Sequence, residues 1–212
     1  MKSIADVLVG HDIVRTSFRQ PFQWTSGILS PIYCDARELI SIPEARDAVV
    51  EAFLDYIEDH HLESDIISGT ATAGIPWASF VAQSLDKPML YVRSKPKGHG
   101  AGKMVEGRGE HHQKILVVED AISTAGSSIK SAEALRKELE ATVTDILAIF
   151  SWSTPLAEEN AKKAGIKLHP LTNYHEIVTA LEAAGKINSA ERESLERFKA
   201  DPMGWATSEG VA

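Results

Sequence analysis

The stretch Ile115-Leu116-Val117-Val118-Glu119-Asp120-Ala121-Ile122-Ser123-Thr124-Ala125-Gly126-Ser127-Ser128 decides the architecture. Its four leading aliphatic residues form a continuous apolar run, the pattern of a strand covered on both faces. That strand delivers two adjacent carboxylates to its carboxyl end. A loop of small hydroxylic residues follows and opens into a segment whose Ile129, Ala132, Leu135 and Leu139 share one helical stripe. Backbone N–H groups in such a loop, together with a helix N-terminus, make a phosphate cradle, to which Ser and Thr hydroxyls add donors. Carboxylates beside a phosphate cradle need a task of their own, either holding sugar hydroxyls or holding an Mg²⁺ that bridges phosphates. A plainer reading has Ser123 or Thr124 capping the helix and Glu119 and Asp120 solvated.

Outward from this stretch the pattern repeats. Residues 65–68, 89–92, 114–118, 145–150 and 166–171 read as strands; residues 43–60, 75–85, 127–141, 154–164, 173–185 and 189–201 read as helices, with Asn173 and Ser189 as N-caps. Alternation of this kind predicts an α/β fold, a mainly parallel central sheet flanked by helices, with ligands at the carboxyl ends of the strands. Residues 22–24 and 32–34 flank turn-forming residues and read as a hairpin-like addition, a small N-terminal hood. The chain is expected to be one domain over residues 1–212: residues 1–42 give a helix and the hood, 43–172 the α/β core, and 173–212 C-terminal helices and a tail whose last residues, 202–212, fray by default.

Composition narrows the function classes. The chain has 212 residues with 43% hydrophobic and 25% charged, ordinary for a globular protein. Its net charge of −8 disfavours general nucleic-acid binding, so any anion must meet a local basic patch. Cys34 is the only cysteine, which excludes an intrachain disulfide and a thiolate zinc cluster and fits a reducing cytoplasm. No signal-peptide pattern or membrane-length apolar run is present. The pairs His60-His61 and His111-His112 lack a second cluster at ligand spacing, so neither reads as a metal site.

Two further features bear on chemistry. Ser68-Gly69-Thr70-Ala71-Thr72-Ala73-Gly74 follows a strand and precedes a helix. Its glycines have Walker A spacing, but Ile75 stands where the lysine belongs, so the loop offers backbone N–H groups without a point charge; it also reads as a tight βα turn. Residues 87–105 hold Lys87, Arg93, Lys95, Lys97 and Lys103 and no acid, punctuated by Gly98, Gly100 and Gly102 around His99. Basic residues among glycines suggest an arm that closes over a polyanion, against the alternative of a solvated loop.

Together these residues carry a resemblance. Residues 117–127 resemble the phosphoribosyl pyrophosphate motif of the type I phosphoribosyltransferases. Ser26-Gly27 with residues 30–35, and residues 92–100, are similar to segments of the branch that acts on orotate. The resemblance implies transfer of ribose phosphate from phosphoribosyl pyrophosphate to orotate, giving orotidine monophosphate and pyrophosphate in pyrimidine biosynthesis. It implies Mg²⁺ held mainly by the substrate, with no direct protein ligand, in a cytoplasmic homodimer with shared sites and no nucleic-acid or membrane partner. It assigns Glu119 and Asp120 to the ribose hydroxyls and Ala121, Ile122, Ser123, Thr124, Ala125, Gly126 and Ser127 to the sugar phosphate. Thr70 and Ala71 go to the pyrophosphate, Ser123 and Tyr33 to orotate, and Arg93, Lys97 and His99 to an arm that closes over the partner's site. Lys97 and Asp120 would be catalytic. Thr25 stands where one branch has lysine and Ala125 where many members have glycine. No arginine between residues 150 and 164 matches the one that contacts orotate in some members, which leaves Arg37 as the cation offered for the carboxylate. The competing readings are a transferase for another base and a non-catalytic regulator that binds phosphoribosyl pyrophosphate.

Overall fold

Both faces of the central sheet are covered, as unbroken aliphatic strands require. The computed structural model describes residues 3–24, 27–96 and 102–211. In β8 (Ile115–Ile122), Ile115 and Val117 join one apolar cluster while Leu116 and Val118 join the other, because successive side chains point to opposite faces. β9 (Asp145–Ser151) divides Ile146 and Ala148 from Leu147 and Ile149 in the same way.

Before these strands the chain forms α1 (Ile4–Gly10), β1 (Val14–Thr16), β2 (Phe22–Gln23), β3 (Leu29–Ser30), β4 (Ile32–Cys34), a 3₁₀ turn over Ala36–Ser41, α2 (Pro43–Asp59), β5 (Ile66–Thr70), α3 (Gly74–Ser84), β6 (Met89–Val92) and β7 (Val105–Glu106). α4 (Gly126–Leu139) joins β8 to β9. α5 (Pro155–Ala164), β10 (Lys167–Asn173), α6 (Tyr174–Ala183), α7 (Ser189–Ala200) and α8 (Trp205–Ser208) follow. The six-stranded sheet runs β10-β9-β8-β5-β6-β7, parallel throughout except for β7, which lies antiparallel on β6. Residues of α1, α2, α3, α6 and α7 bury one face, and residues of α4 and α5 the other. The expected α/β sheet flanked by helices is therefore what the chain forms.

Four local expectations are corrected. The runs at 22–24 and 32–34 do not pair with each other: β2 pairs antiparallel with β3, and β4 with β1, making two small ribbons. Tyr33 still meets Phe22, with ring centroids 5.6 Å apart. α4 has no side-chain cap from Ser123 or Thr124; Ala125 stands at its N-cap in the left-handed conformation, φ 58°. α7 is capped by Asn188, not Ser189, through a capping box with Glu191, whereas Asn173 does cap α6. The tail is docked over 205–208: Trp205 is buried and donates its indole N–H to Ser194 Oγ at 3.0 Å, and Arg197 pairs with Glu209 at 2.7 Å.

Candidate active site

Strand order locates the crevice. From β5 the chain moves outward through β6 on one side and later returns to place β8 on the other, so the order reverses between β5 and β8. Open α/β sheets bind ligands at that switch point, outside the carboxyl ends of the strands. Register sets Gly69 beside Val118 and Thr70 beside Val92, so both singled-out turns leave the sheet at neighbouring points.

The turn after β8 is held from outside. Thr154 Oγ1 donates to the Ser123 carbonyl at 2.6 Å, and Asn160 Nδ2 donates to the Thr124 carbonyl at 3.0 Å. With these carbonyls drawn toward α5, the turn leads into the first turn of α4, whose N–H groups have no acceptor within the helix. Ser127 Oγ donates to Glu119 Oε2 at 3.3 Å, and the Asp120 amide donates to Glu119 Oε1 at 3.2 Å. Glu119 is only 5% exposed, and its carboxyl is pushed up to about 9, by burial first and then by the negative charge of Asp120. The pair is therefore not two solvated acids: Glu119 is sunk into the site and Asp120 stands half-buried at its lip.

The turn after β5 has a different construction from a Walker loop. Gly69 lies within β5 and Gly74 begins α3. A Cβ on Gly69 would stand 2.8 Å from Ile75 Cα, and one on Gly74 would stand 2.5 Å from the Val118 carbonyl. Both glycines let α3 press onto β5 and β8, and residues 71–73 between them form the turn, with Thr72 its exposed residue. Thr70 Oγ1 is buried without a protein partner. A cavity of about 290 Å³ is lined by Thr70, Ala71, Arg93, Ser94, Gly126, Ser127, Lys130 and Ser131. It joins both turns to the base of the basic strip, and it adds Lys130, which the sequence reading missed. Lys130 Nζ donates to the Ser94 carbonyl at 3.1 Å. Its sequence signal was the one-turn offset from Gly126 and Ser127 along α4.

The strip's described ends form a hairpin stem. Arg93 donates its amide to the Met104 carbonyl at 3.0 Å and pairs with Glu106 at 3.4 Å. Lys97 and His99 lie outside the described residues, as do Thr25 and Ser26.

The hood reaches the acid pair. The Cys34 thiol is pushed up to about 12 by burial and by the charges of Asp120 and Asp35, so it is no nucleophile at neutral pH. Arg37, the cation offered for a substrate carboxylate, is already gripped by Asp35 at 2.6 and 2.5 Å and lies within reach of the Tyr33 hydroxyl at 3.5 Å. Tyr33 Oη in turn donates to Asp35 Oδ2 at 3.4 Å. A second cavity, about 320 Å³, lies on the other side of Ser123 and Thr124; Trp24, Ile28, Trp152, Tyr174, Phe198 and Lys199 also line it. Among the described residues no group of three or more His, Cys, Asp or Glu could hold a metal, and no helix is long and apolar enough to cross a membrane.

Comparison with known proteins gives one consistent picture. The profile of the Phosphoribosyl transferase domain matches residues 35–176. The chain is 45% identical over 202 residues to an orotate phosphoribosyltransferase of Coxiella burnetii, covering 95% of this chain and 96% of that one. It is 42% identical over 204 residues to the Streptococcus pneumoniae orotate phosphoribosyltransferase, covering 96% and 97%. Among solved structures, the crystal structure of orotate phosphoribosyltransferase from Aeropyrum pernix matches with a TM-score of 0.75 at 30% identity, over 87% of this chain and 99% of that one.

Proposed function

This chain belongs to the phosphoribosyl transferase family and within it to the orotate phosphoribosyltransferases, and on that premise we propose how its own residues carry out the transfer. The reaction joins the ribose phosphate of phosphoribosyl pyrophosphate to orotate and releases pyrophosphate. The observation that carries the assignment of parts is the cavity uniting Thr70, Ala71, Arg93, Gly126, Ser127 and Lys130 at the switch point.

The 5-phosphate is assigned to the turn from Ser123 to Ser127, which offers the N–H groups opening α4 and the hydroxyls of Ser123, Thr124 and Ser127. Ala121 and Ile122 carry the backbone from the acid pair into that turn. Glu119 and Asp120 hold the ribose hydroxyls from below. The diphosphate lies against Thr70 and Ala71, with the unpartnered Thr70 hydroxyl as a donor. Arg93 and Lys130 stand beside it, and the strip brings Lys97 and His99.

Charge then explains the rate. As the anomeric bond lengthens, positive charge grows on the sugar, which Asp120 offsets, and negative charge grows on the departing oxygens, the charge assigned to Arg93 and, by the resemblance, to Lys97 and His99. Interactions that strengthen along that path lower the barrier, whereas equal binding of substrate and transition state does not. Orotate is an anion through its carboxylate; its N1 proton leaves as the new bond to the sugar forms, and the departing pyrophosphate is the acceptor at hand, so no strong protein base is needed. Tyr33 and Ser123 face it from the hood and from the turn.

The donor set fits Mg²⁺ in one specific way. Among the described residues no third acid joins the carboxylate pair in a metal-holding cluster, which suits an ion that would keep several waters and be held largely by substrate phosphates. When bound, that ion would neutralise diphosphate charge; Glu119 and Asp120 are the residues placed to steady it through the sugar hydroxyls. The reading includes a cytoplasmic homodimer whose strip serves the partner's site.

Incubation with phosphoribosyl pyrophosphate and orotate, with and without Mg²⁺, tests this directly. Pyrophosphate release is expected with orotate and Mg²⁺ together. Release with a purine or uracil but not orotate would favour a transferase for another base. Tight phosphoribosyl pyrophosphate binding with no release for any base would favour the regulator.

A further inference from the structure

The orotate carboxylate has no arginine waiting for it in the segment that follows β9, and Arg37 is committed to Asp35. The cavity of about 320 Å³ beside Ser123 supplies another cation. Among the described residues lining it, Lys199 is the only charged one; the rest are aromatic, aliphatic or hydroxylic. Its ammonium reaches across from α7. Nζ donates to the carbonyl of Trp152 and, at 2.7 Å, to that of Ser153, and lies 5.4 Å from the centre of the Tyr174 ring. Two of its three donors are thereby fixed, which leaves one free and aims the charge.

The walls suit a flat heterocycle. Trp24 and Trp152 stand with ring centroids 4.9 Å apart, tilted by 59°, and Phe198 meets Trp24 edge-on at 5.9 Å. Trp24 comes from the hood ribbon, Trp152 from the end of β9 and Lys199 from α7, so three separate parts of the chain converge beside the turn assigned to the sugar phosphate. A half-buried ammonium among aromatic faces favours an anion with a planar body, because burial has already removed much of its hydration.

We propose that Lys199 holds the carboxylate of orotate, with the packed rings of Trp24 and Trp152 forming one wall against the pyrimidine, so that a C-terminal helix supplies the specificity for the acid. The proposal rests on the transferase reading and adds a residue to it. Lys199 is a specificity-determining residue; the reacting atoms remain with the strip and the acid pair.

The test is steady-state kinetics on full-length Lys199→Met, Lys199→Gln and Lys199→Arg, varying each substrate separately. A charge-assisted hydrogen bond predicts a KM for orotate raised about 10- to 100-fold in Lys199→Met and Lys199→Gln, with Lys199→Arg recovering most of it. The KM for phosphoribosyl pyrophosphate should stay within about twofold, and the preference for orotate over uracil should fall in parallel. Lys199→Gln keeps two donors for the Trp152 and Ser153 carbonyls, so it answers the question if Lys199→Met does not fold. An unchanged orotate KM in Lys199→Gln overturns the proposal. So does an equal rise in both KM values with a lowered melting temperature, which marks a bracing role only. Wild-type protein that transfers nothing to orotate would sink the transferase reading itself, whatever the variants do.

Discussion

Ser127 Oγ donates to Glu119 Oε2 at 3.3 Å, so the helix that opens the phosphate turn is tied to the buried member of the acid pair. Burial and the neighbouring Asp120 raise the Glu119 carboxyl from about 4.5 to about 9. At neutral pH the folded chain therefore keeps a proton that the unfolded chain has lost. Stability is greatest below the unfolded value and falls as pH rises through the window from about 4.5 to about 9, by at most about 1.4 kcal/mol per pH unit. Glu119→Gln mimics the protonated acid, so its melting temperature should depend less on pH across that window. Phosphoribosyl pyrophosphate binding should change the protonation of Glu119 in wild type, read as a buffer-dependent heat in calorimetry. An equal buffer dependence in Glu119→Gln would place the proton elsewhere.

Thr154 and Asn160 hold the turn assigned to the phosphate through its carbonyls, gripping those of Ser123 and Thr124. Freed carbonyls would let the turn swing its oxygens toward a polyanion. Asn160→Ala is expected to raise the KM for phosphoribosyl pyrophosphate about tenfold at nearly unchanged stability, a loss near 1.4 kcal/mol. Thr154 also caps α5 through the Ala157 amide at 3.2 Å, so Thr154→Ala should add about 1 kcal/mol of destabilisation that Thr154→Ser spares. Substrate titrations beside thermal melts separate the two effects.

Much of this could be read from the residues, and where it could not the reason is physical. The run from Ile115 to Ser128 gave strand, acids, turn and helix in order because each rests on local chemistry. The burial of Glu119 was not legible, since it depends on α3 pressing close at Gly74, a contact distant in sequence. The hood's two ribbons were misread because strands of two or three residues carry no period long enough to fix a partner. Residues 202–212 were expected to fray because the contact that docks them, Trp205 on Ser194, is tertiary, although Trp205 by itself reads as a core or interface residue and is buried. Lys130 and Lys199 were missed for a common cause: each is one lysine on an exposed-looking helix, and only the tertiary fold brings it to a cavity.

Gly74 tests how tightly that fold holds the acid. A Cβ there would meet the Val118 carbonyl at 2.5 Å and Glu119 Cα at 3.2 Å, and neither backbone atom can yield without moving β8 or α3. Gly74→Ala is expected to cost about 1–3 kcal/mol in stability and, by shifting Glu119, to lower kcat about tenfold or more. Chemical denaturation measures the first and initial rates the second. A variant as stable and active as wild type would mean that α3 has room to spare.

The strip makes the last demand. Lys97 is assigned to the departing diphosphate, where additional negative charge builds as the bond breaks, so Lys97→Ala should lose about two to three orders of magnitude in turnover. Its KM for phosphoribosyl pyrophosphate should move far less. If the strip of one subunit serves the other's site, mixing inactive Lys97→Ala and Asp120→Asn proteins creates heterodimers with one site intact in both parts. Random exchange of subunits then restores roughly a quarter of wild-type activity. Recovery after mixing, followed by pyrophosphate release over time, establishes sharing between subunits. No recovery, with subunit exchange verified on a tagged pair, assigns each strip to its own chain's site.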